Sequence, residues 1–168
     1  WKSDGTVNGT VMIKDIRSGS SASSIDHITV IGNTLYFQAD DGTNGAELWK
    51  SDGTANGTMM IKDIYSGSSS SFPNALIAVG NTLYFQARDG THGKELWMSD
   101  GTENGTVMVK DIYSGSSDSL PNSLIAIDNT LYFEATDGTN GVELWGVQNA
   151  SIGTSAPTWS IHPSLPTG

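Results

Sequence analysis

Cysteine is absent from the 168 residues, which excludes disulfide staples and thiolate metal sites. Charge is sparse: 15% of residues carry one, against 36% hydrophobic residues, and no charge runs occur. That balance is not the composition of a disordered chain. Basic residues are scarcest, with eight Lys and Arg against eighteen Asp and Glu, for a formal net charge of −10. Such a polyanion repels phosphate backbones, so no nucleic-acid partner is expected. No stretch approaches the ~18 consecutive apolar residues of a membrane-spanning helix, so no membrane insertion is expected. Helical periodicity is missing too, because no apolar pattern near ~3.6 residues survives beyond one turn.

What is present is repetition. Trp1, Trp49, Trp97 and Trp145 lie 48 residues apart, and residues 1–48, 49–96 and 97–144 are copies of one unit. The second and third copies agree at 35 of 48 positions, without insertion. Self-similarity at such a period marks a repeat architecture.

In the third copy, the short apolar run Leu124–Ile127 meets Asp128-Asn129, a turn pair that tolerates positive φ, as Gly32-Asn33 and Gly80-Asn81 do elsewhere. Thr130–Ala135 is rich in β-favouring and aromatic residues. Asp137-Gly138-Thr139-Asn140-Gly141 breaks the pattern, Val142–Trp145 resumes it, and Thr106–Ile112 shows the final strand of a complete copy. Three tight turns and one longer Ser-rich crossing, Tyr113–Ser123, predict a four-stranded antiparallel meander that steps to a neighbouring sheet. The fold expected is all-β, with 48-residue repeats as β-propeller blades. Three blades fall short of the ~4–8 of a closed ring, which predicts an open arc completed by neighbouring repeats or by self-association. A β-trefoil, also three repeats of four strands, is the alternative.

The domain division expected is 1–148 for the repeats and 149–168 for a linker and the start of another module. The chain opens in mid-motif and reads as an excerpt of a longer polypeptide.

Glu47-Leu48-Trp49-Lys50-Ser51-Asp52-Gly53-Thr54, with Gly57-Thr58, Lys62-Asp63-Ile64, Leu83-Tyr84-Phe85 and Asp89-Gly90-Thr91, resembles the signature of the ELWxxDGT repeat family of bacterial and archaeal proteins. The likeness covers residues 1–145. It implies a large secreted or cell-surface protein with a binding or structural role, and supplies no catalytic residues. Trp159-Ser160-Ile161, Pro163 and Leu165-Pro166 resemble the opening of immunoglobulin-like modules of prokaryotic surface proteins.

Twelve of the eighteen acids occupy four fixed repeat positions: Asp4, Asp52 and Asp100; Asp15, Asp63 and Asp111; Asp41, Asp89 and Asp137; Glu47, Glu95 and Glu143. Asp41, Asp89, Asp137, Asp52 and Asp100 sit in Asp-Gly-Thr turns whose oxygens are of the type Ca²⁺ takes, so they are the candidate metal ligands. The distal Glu of an EF-hand loop is lacking, and turn capping by these aspartates is the competing reading. Asp15, Asp63 and Asp111 invite two readings: a repeated hydrogen bond to a neighbouring blade, or a ring of acids around a central opening.

Every acid of these sets has an equivalent in each copy, which is how structural residues behave, so no enzyme is expected. The Trp set and the pairs Tyr36-Phe37, Tyr84-Phe85 and Tyr132-Phe133 read as core rather than sugar platforms. His27, His92 and His162 occupy unrelated positions and form no ligand set. Residues that vary between copies gather around the Asp-Gly-Thr turn, and Arg88, His92, Lys94, Asn44 and Asn140 are the candidate ligand-binding residues. The function expected is extracellular or cell-surface binding and display, with a protein or glycan ligand. The alternatives are a structural spacer array, a lectin-like trefoil and a Ca²⁺-binding repeat.

Overall fold

The computed structural model describes residues 1–148 and the strand Trp159–Ile161. The remainder of 149–168, where the linker and most of the second module are expected, lies outside the described residues. All regular structure is β, with no helix among the described residues.

The strands are β1 (Asp26–Ile31), β2 (Thr34–Asp40), β3 (Ala46–Ser51), β4 (Met59–Lys62), β5 (Asn74–Val79), β6 (Thr82–Ala87), β7 (Glu95–Ser99), β8 (Val107–Lys110), β9 (Asn122–Ile127), β10 (Thr130–Thr136), β11 (Val142–Gln148) and β12 (Trp159–Ile161). They form three separate antiparallel sheets, β1-β2-β3-β4, β5-β6-β7-β8 and β9-β10-β11-β12, none closed into a barrel. The first two sheets, and β9 to β11 of the third, are meanders because two-residue turns and short loops join neighbouring strands. Gly32, Gly80 and Asp128 take φ of 57°, 61° and 52° at the first of these turns. The third sheet differs at its edge: Trp159–Ile161 pairs with Val147–Trp145 where the other sheets have their own repeat strand.

Strand alternation sends neighbouring side chains to opposite faces, and here both faces are apolar. Tyr36, Leu48, Ile61 and Ile64 of the first sheet pack on Leu83, Phe85, Ala87 and Trp97 of the second. From its other face the second sheet sends Val79, Tyr84, Leu96 and Ile112 against Leu131, Phe133, Ala135, Trp145 and Val147 of the third. All six residues of β6 are therefore buried. Residues 1–24 repeat the sequence that elsewhere forms a hairpin, final strand and crossing. They lie against the outer face of the first sheet, with Ile16 on Phe37, Ala39 and Trp49. The first strands β1, β5 and β9 neighbour one another along the stack.

Candidate functional site at the loop end of the sheets

Antiparallel pairing sorts the connections onto two ends. The Asp-Gly-Thr-x-Asn-Gly turns, such as 52–57, share one end with the two-residue turns. The Asp41, Asp89 and Asp137 loops share the other end with the long crossings.

At the turn end one network recurs three times. Asp52 Oδ1 accepts from the Thr54 amide at 2.9 Å and the Thr54 hydroxyl at 2.7 Å, and that hydroxyl accepts from the Gly57 amide at 2.9 Å. Asp4 and Asp100 are held in the same way by Thr6 and Thr102. Donation from those threonines keeps the three carboxyls below the usual carboxylate range. A Cβ on Gly9, Gly57 or Gly105 would collide with the carboxylate it faces, so any other residue there would push the aspartate out of its turn.

At the loop end Asp41 Oδ1 accepts the amides of Thr43 and Asn44, each at 2.8 Å, and Oδ2 accepts Asn44 Nδ2 at 2.8 Å. Asp137 repeats this with Thr139 and Asn140. In the second copy His92 stands in place of Asn, with Nδ1 2.9 Å from Asp89 Oδ2. The bond to Asp89 raises the His92 pKa. Partial burial works against ionisation of Asp41 and Asp89, yet the amide donors win and both lie below their ordinary value. Asn44, Asn140 and His92, expected at a binding rim, thus spend a side-chain donor on capping their own loop.

The metal candidates fall into two groups on opposite ends, each aspartate engaged by N–H donors of its own turn. Among the described residues no cluster of three or more His, Asp or Glu is arranged to hold a metal ion. Asp63 and Asp111 each accept the amide of Gly67 or Gly115 at 3.0 Å, and their Oδ1 atoms are buried without a protein partner. These bonds stay within the crossing loop that each aspartate opens.

The buried glutamates do what the turn aspartates do, over a longer reach. Glu47 accepts Ile64 N at 3.0 Å, Ser71 N at 2.9 Å and Ser71 Oγ at 2.6 Å, which ties β3 to the crossing that leaves its sheet. Glu95 does the same with Ile112 and Ser119. Burial pushes Glu47 up to about 7 in spite of those donors, and raises Glu95 as well. Lysines link sheet to sheet: Lys50 Nζ donates to Gly101 O at 2.7 Å and Lys62 Nζ to Thr106 O at 2.8 Å. Both are spaced about one repeat from their acceptors, and that spacing was the available signal.

The loop end also carries what differs between copies. Arg17 and Asp40 form an ion pair at 2.6 Å. At the equivalent positions Tyr65 faces Arg88, whose guanidinium lies 5.7 Å from the Tyr65 ring centre and 5.1 Å from that of Phe72. Arg88 Nε also donates to Ser70 O at 3.2 Å. Lys94 contributes backbone, its N–H to Asp118 Oδ1 at 2.8 Å and its carbonyl to Ser119.

At the loop end an open cleft of about 410 Å³ is lined by Asn74 and Gln86 of the second sheet, by Asn122, Glu134 and Thr136 of the third, and by their neighbours. Gln86 is fixed by Asn74 Nδ2 at 3.0 Å and by Pro121 O at 2.8 Å, and Glu134 Oε1 accepts from Ser123 Oγ at 3.0 Å. Glu134 replaces the glutamine of the other two copies, Gln38 and Gln86. That substitution was visible in the sequence, but only the fold makes it part of a cleft.

No family model and no curated protein sequence matches this chain. Among solved structures, the computationally designed Ika8 protein matches over 79% of this chain and 36% of its own, at 22% identity and a TM-score of 0.40. The computationally designed Ika4 protein matches over 81% of this chain and 98% of its own, at 18% identity and a TM-score of 0.35. The chain thus spans about a third of the length of the Ika8 protein it matches.

Proposed function

We propose that the chain is an arc of β-propeller blades that serves as a non-enzymatic binding or display module outside the cell. Three separate sheets stacked face to face support blades over a trefoil, whose strands would have to share a barrel. The extracellular setting follows from the resemblance to the ELWxxDGT repeat family.

The observation that carries a binding role is the cleft at the loop end, lined from the second and third sheets. It holds amides and a carboxylate, which suit the hydroxyls of a glycan. It also breaks the repeat at Glu134, where the framework residues keep it. Its lining contains one carboxylate, whereas glycoside hydrolysis ordinarily uses two, and this supports binding without chemistry.

A glycan array probed with the labelled chain and with Glu134→Gln tests the reading. Retention of a glycan class by the parent, weakened in Glu134→Gln, is the result expected. No retention by the parent would favour a spacer array, the reading that the repeated sheet-to-sheet hydrogen bonds support.

A further inference from the structure

The stack ends on two faces that match each other. The face of the third sheet that corresponds to the interior ones exposes Ile125, Ile127 and Leu144. The first sheet exposes Ile28, Val30 and Leu35 on the opposite face, where the second sheet buries Leu83 against its neighbour. The first-to-second and second-to-third contacts within the chain therefore define a third contact of the same kind, with both of its surfaces present in one molecule.

Glu143 makes the match specific. It is the equivalent of Glu47 and Glu95, yet it is exposed where they are fully buried. The donors used by Glu47 are Ile64 and Ser71, and those used by Glu95 are Ile112 and Ser119. One repeat earlier in sequence, the same two positions are Ile16 and Ser23. Both lie in the N-terminal segment at the far side of the stack, packed on the first sheet through Ile16 and through Asp40 N to Ser23 O at 2.8 Å. Two stacked sheets separate them from Glu143 in the same molecule.

We propose that the open face of the third sheet is a docking surface for the N-terminal segment and first sheet of a second copy of this chain, joined head to tail. Glu143 then accepts from Ile16 and Ser23 of the second copy, and the strand edge at Val11 of that copy pairs with Gly146. The register is that of Lys50 with Met59 and of Met98 with Val107. Val11 must release Lys2, and β12 must leave the β11 edge. Two copies joined at both faces hold six sheets, within the ~4–8 that close a ring of blades. The proposal rests on the blade reading given above, but not on the binding role. Each copy carries −10, so added salt should strengthen the contact by screening.

The test is the mass of the full chain by sedimentation from micromolar to near-millimolar concentration, beside Glu143→Ala and Ser23→Ala. A dimer expected for the parent should weaken by about tenfold or more in either variant, and the double variant should be little weaker than the singles. Because the chain has no cysteine, mixing a Val11→Cys copy with a differently tagged Gly146→Cys copy should give an oxidised heterodimer. A monomer at every concentration, or a dimer indifferent to both substitutions and without that crosslink, would overturn the docking. Tryptophan emission separates the causes. A monomer with buried indoles leaves the stacked blades standing, whereas one with solvent-exposed indoles removes them as well.

Discussion

The second and third sheets carry nearly the same residues in opposite surroundings. Leu96 has no exposed surface and Leu144 is 53% exposed. Glu95 is fully buried among donated hydrogen bonds, while Glu143 faces solvent. Strand, neighbour in sequence and position within the sheet are the same. For the leucines the difference is whether another sheet lies over their face, and for the glutamates whether a crossing brings them its donors. Burial in this protein is thus a property of the stack and not of the repeat.

Truncation inside the stack should expose that difference most strongly. Trp97→Ala should cost about 3–5 kcal/mol and Leu96→Ala about 2–5, whereas Leu144→Ala should stay within about 0.5 at concentrations where the chain is monomeric. Urea unfolding of the three variants checks this. Equal losses at Leu96 and Leu144 would mean the third sheet is covered after all.

The glutamates sharpen the comparison through charge. Glu95→Ala orphans the amides of Ile112 and Ser119 and should cost about 3 kcal/mol, while Glu143→Ala in the monomer should cost less than about 0.5.

The pH profile follows from Glu47. Its folded pKa of about 7 lies above the ordinary 4.5, so the folded state binds a proton first. The associated stability, on the order of 2–3 kcal/mol, is fully present below the unfolded value and lost as pH rises through about 7. The turn aspartates run the other way. Their folded values are depressed, so their contribution is present above the unfolded value and lost in more acid solution. Stability should therefore peak in mildly acid solution, and Glu47→Gln should flatten the neutral limb of a melting series. A limb unchanged in Glu47→Gln would remove Glu47 as its source.

A smaller contrast tests one hydrogen bond at two depths. Ser99 pairs with Thr106 at 2.8 Å in a buried site, and Ser3 with Thr10 at 2.7 Å in an exposed one. Thr106→Val should cost about 1–2 kcal/mol and Thr10→Val less than about 0.5, by chemical denaturation. The smallest effect is expected from millimolar Ca²⁺ against EDTA. The aspartate oxygens already accept turn amides, so the melting midpoint should not move. A rise that saturates with Ca²⁺ would identify the turns as ion sites instead.

Much of this was legible in the chain. The repeat located the meander, and Gly32-Asn33, Gly80-Asn81 and Asp128-Asn129 marked the first turn of each sheet. Continuous apolar strands such as Leu83-Tyr84-Phe85 implied burial on both faces. The glutamate clamp escaped, since Glu47 meets its donors 17 and 24 residues away. So did the lysine bridges, with Lys50 reaching its acceptor 51 residues on. Arg88 and Asn140 look alike as variable loop positions. One lies over the Tyr65 and Phe72 rings, while the other caps Asp137.

By itself the sequence determined what is local: strand length, turn conformation and which residues share a face, because these depend on φ, ψ and side-chain alternation within a few residues. Only the tertiary structure decided which copy of each residue is buried, whom the glutamates bind and where the polar cleft opens. Those depend on the placement of another sheet, and three copies of one motif acquire different surroundings when a sheet stands over one face or over both.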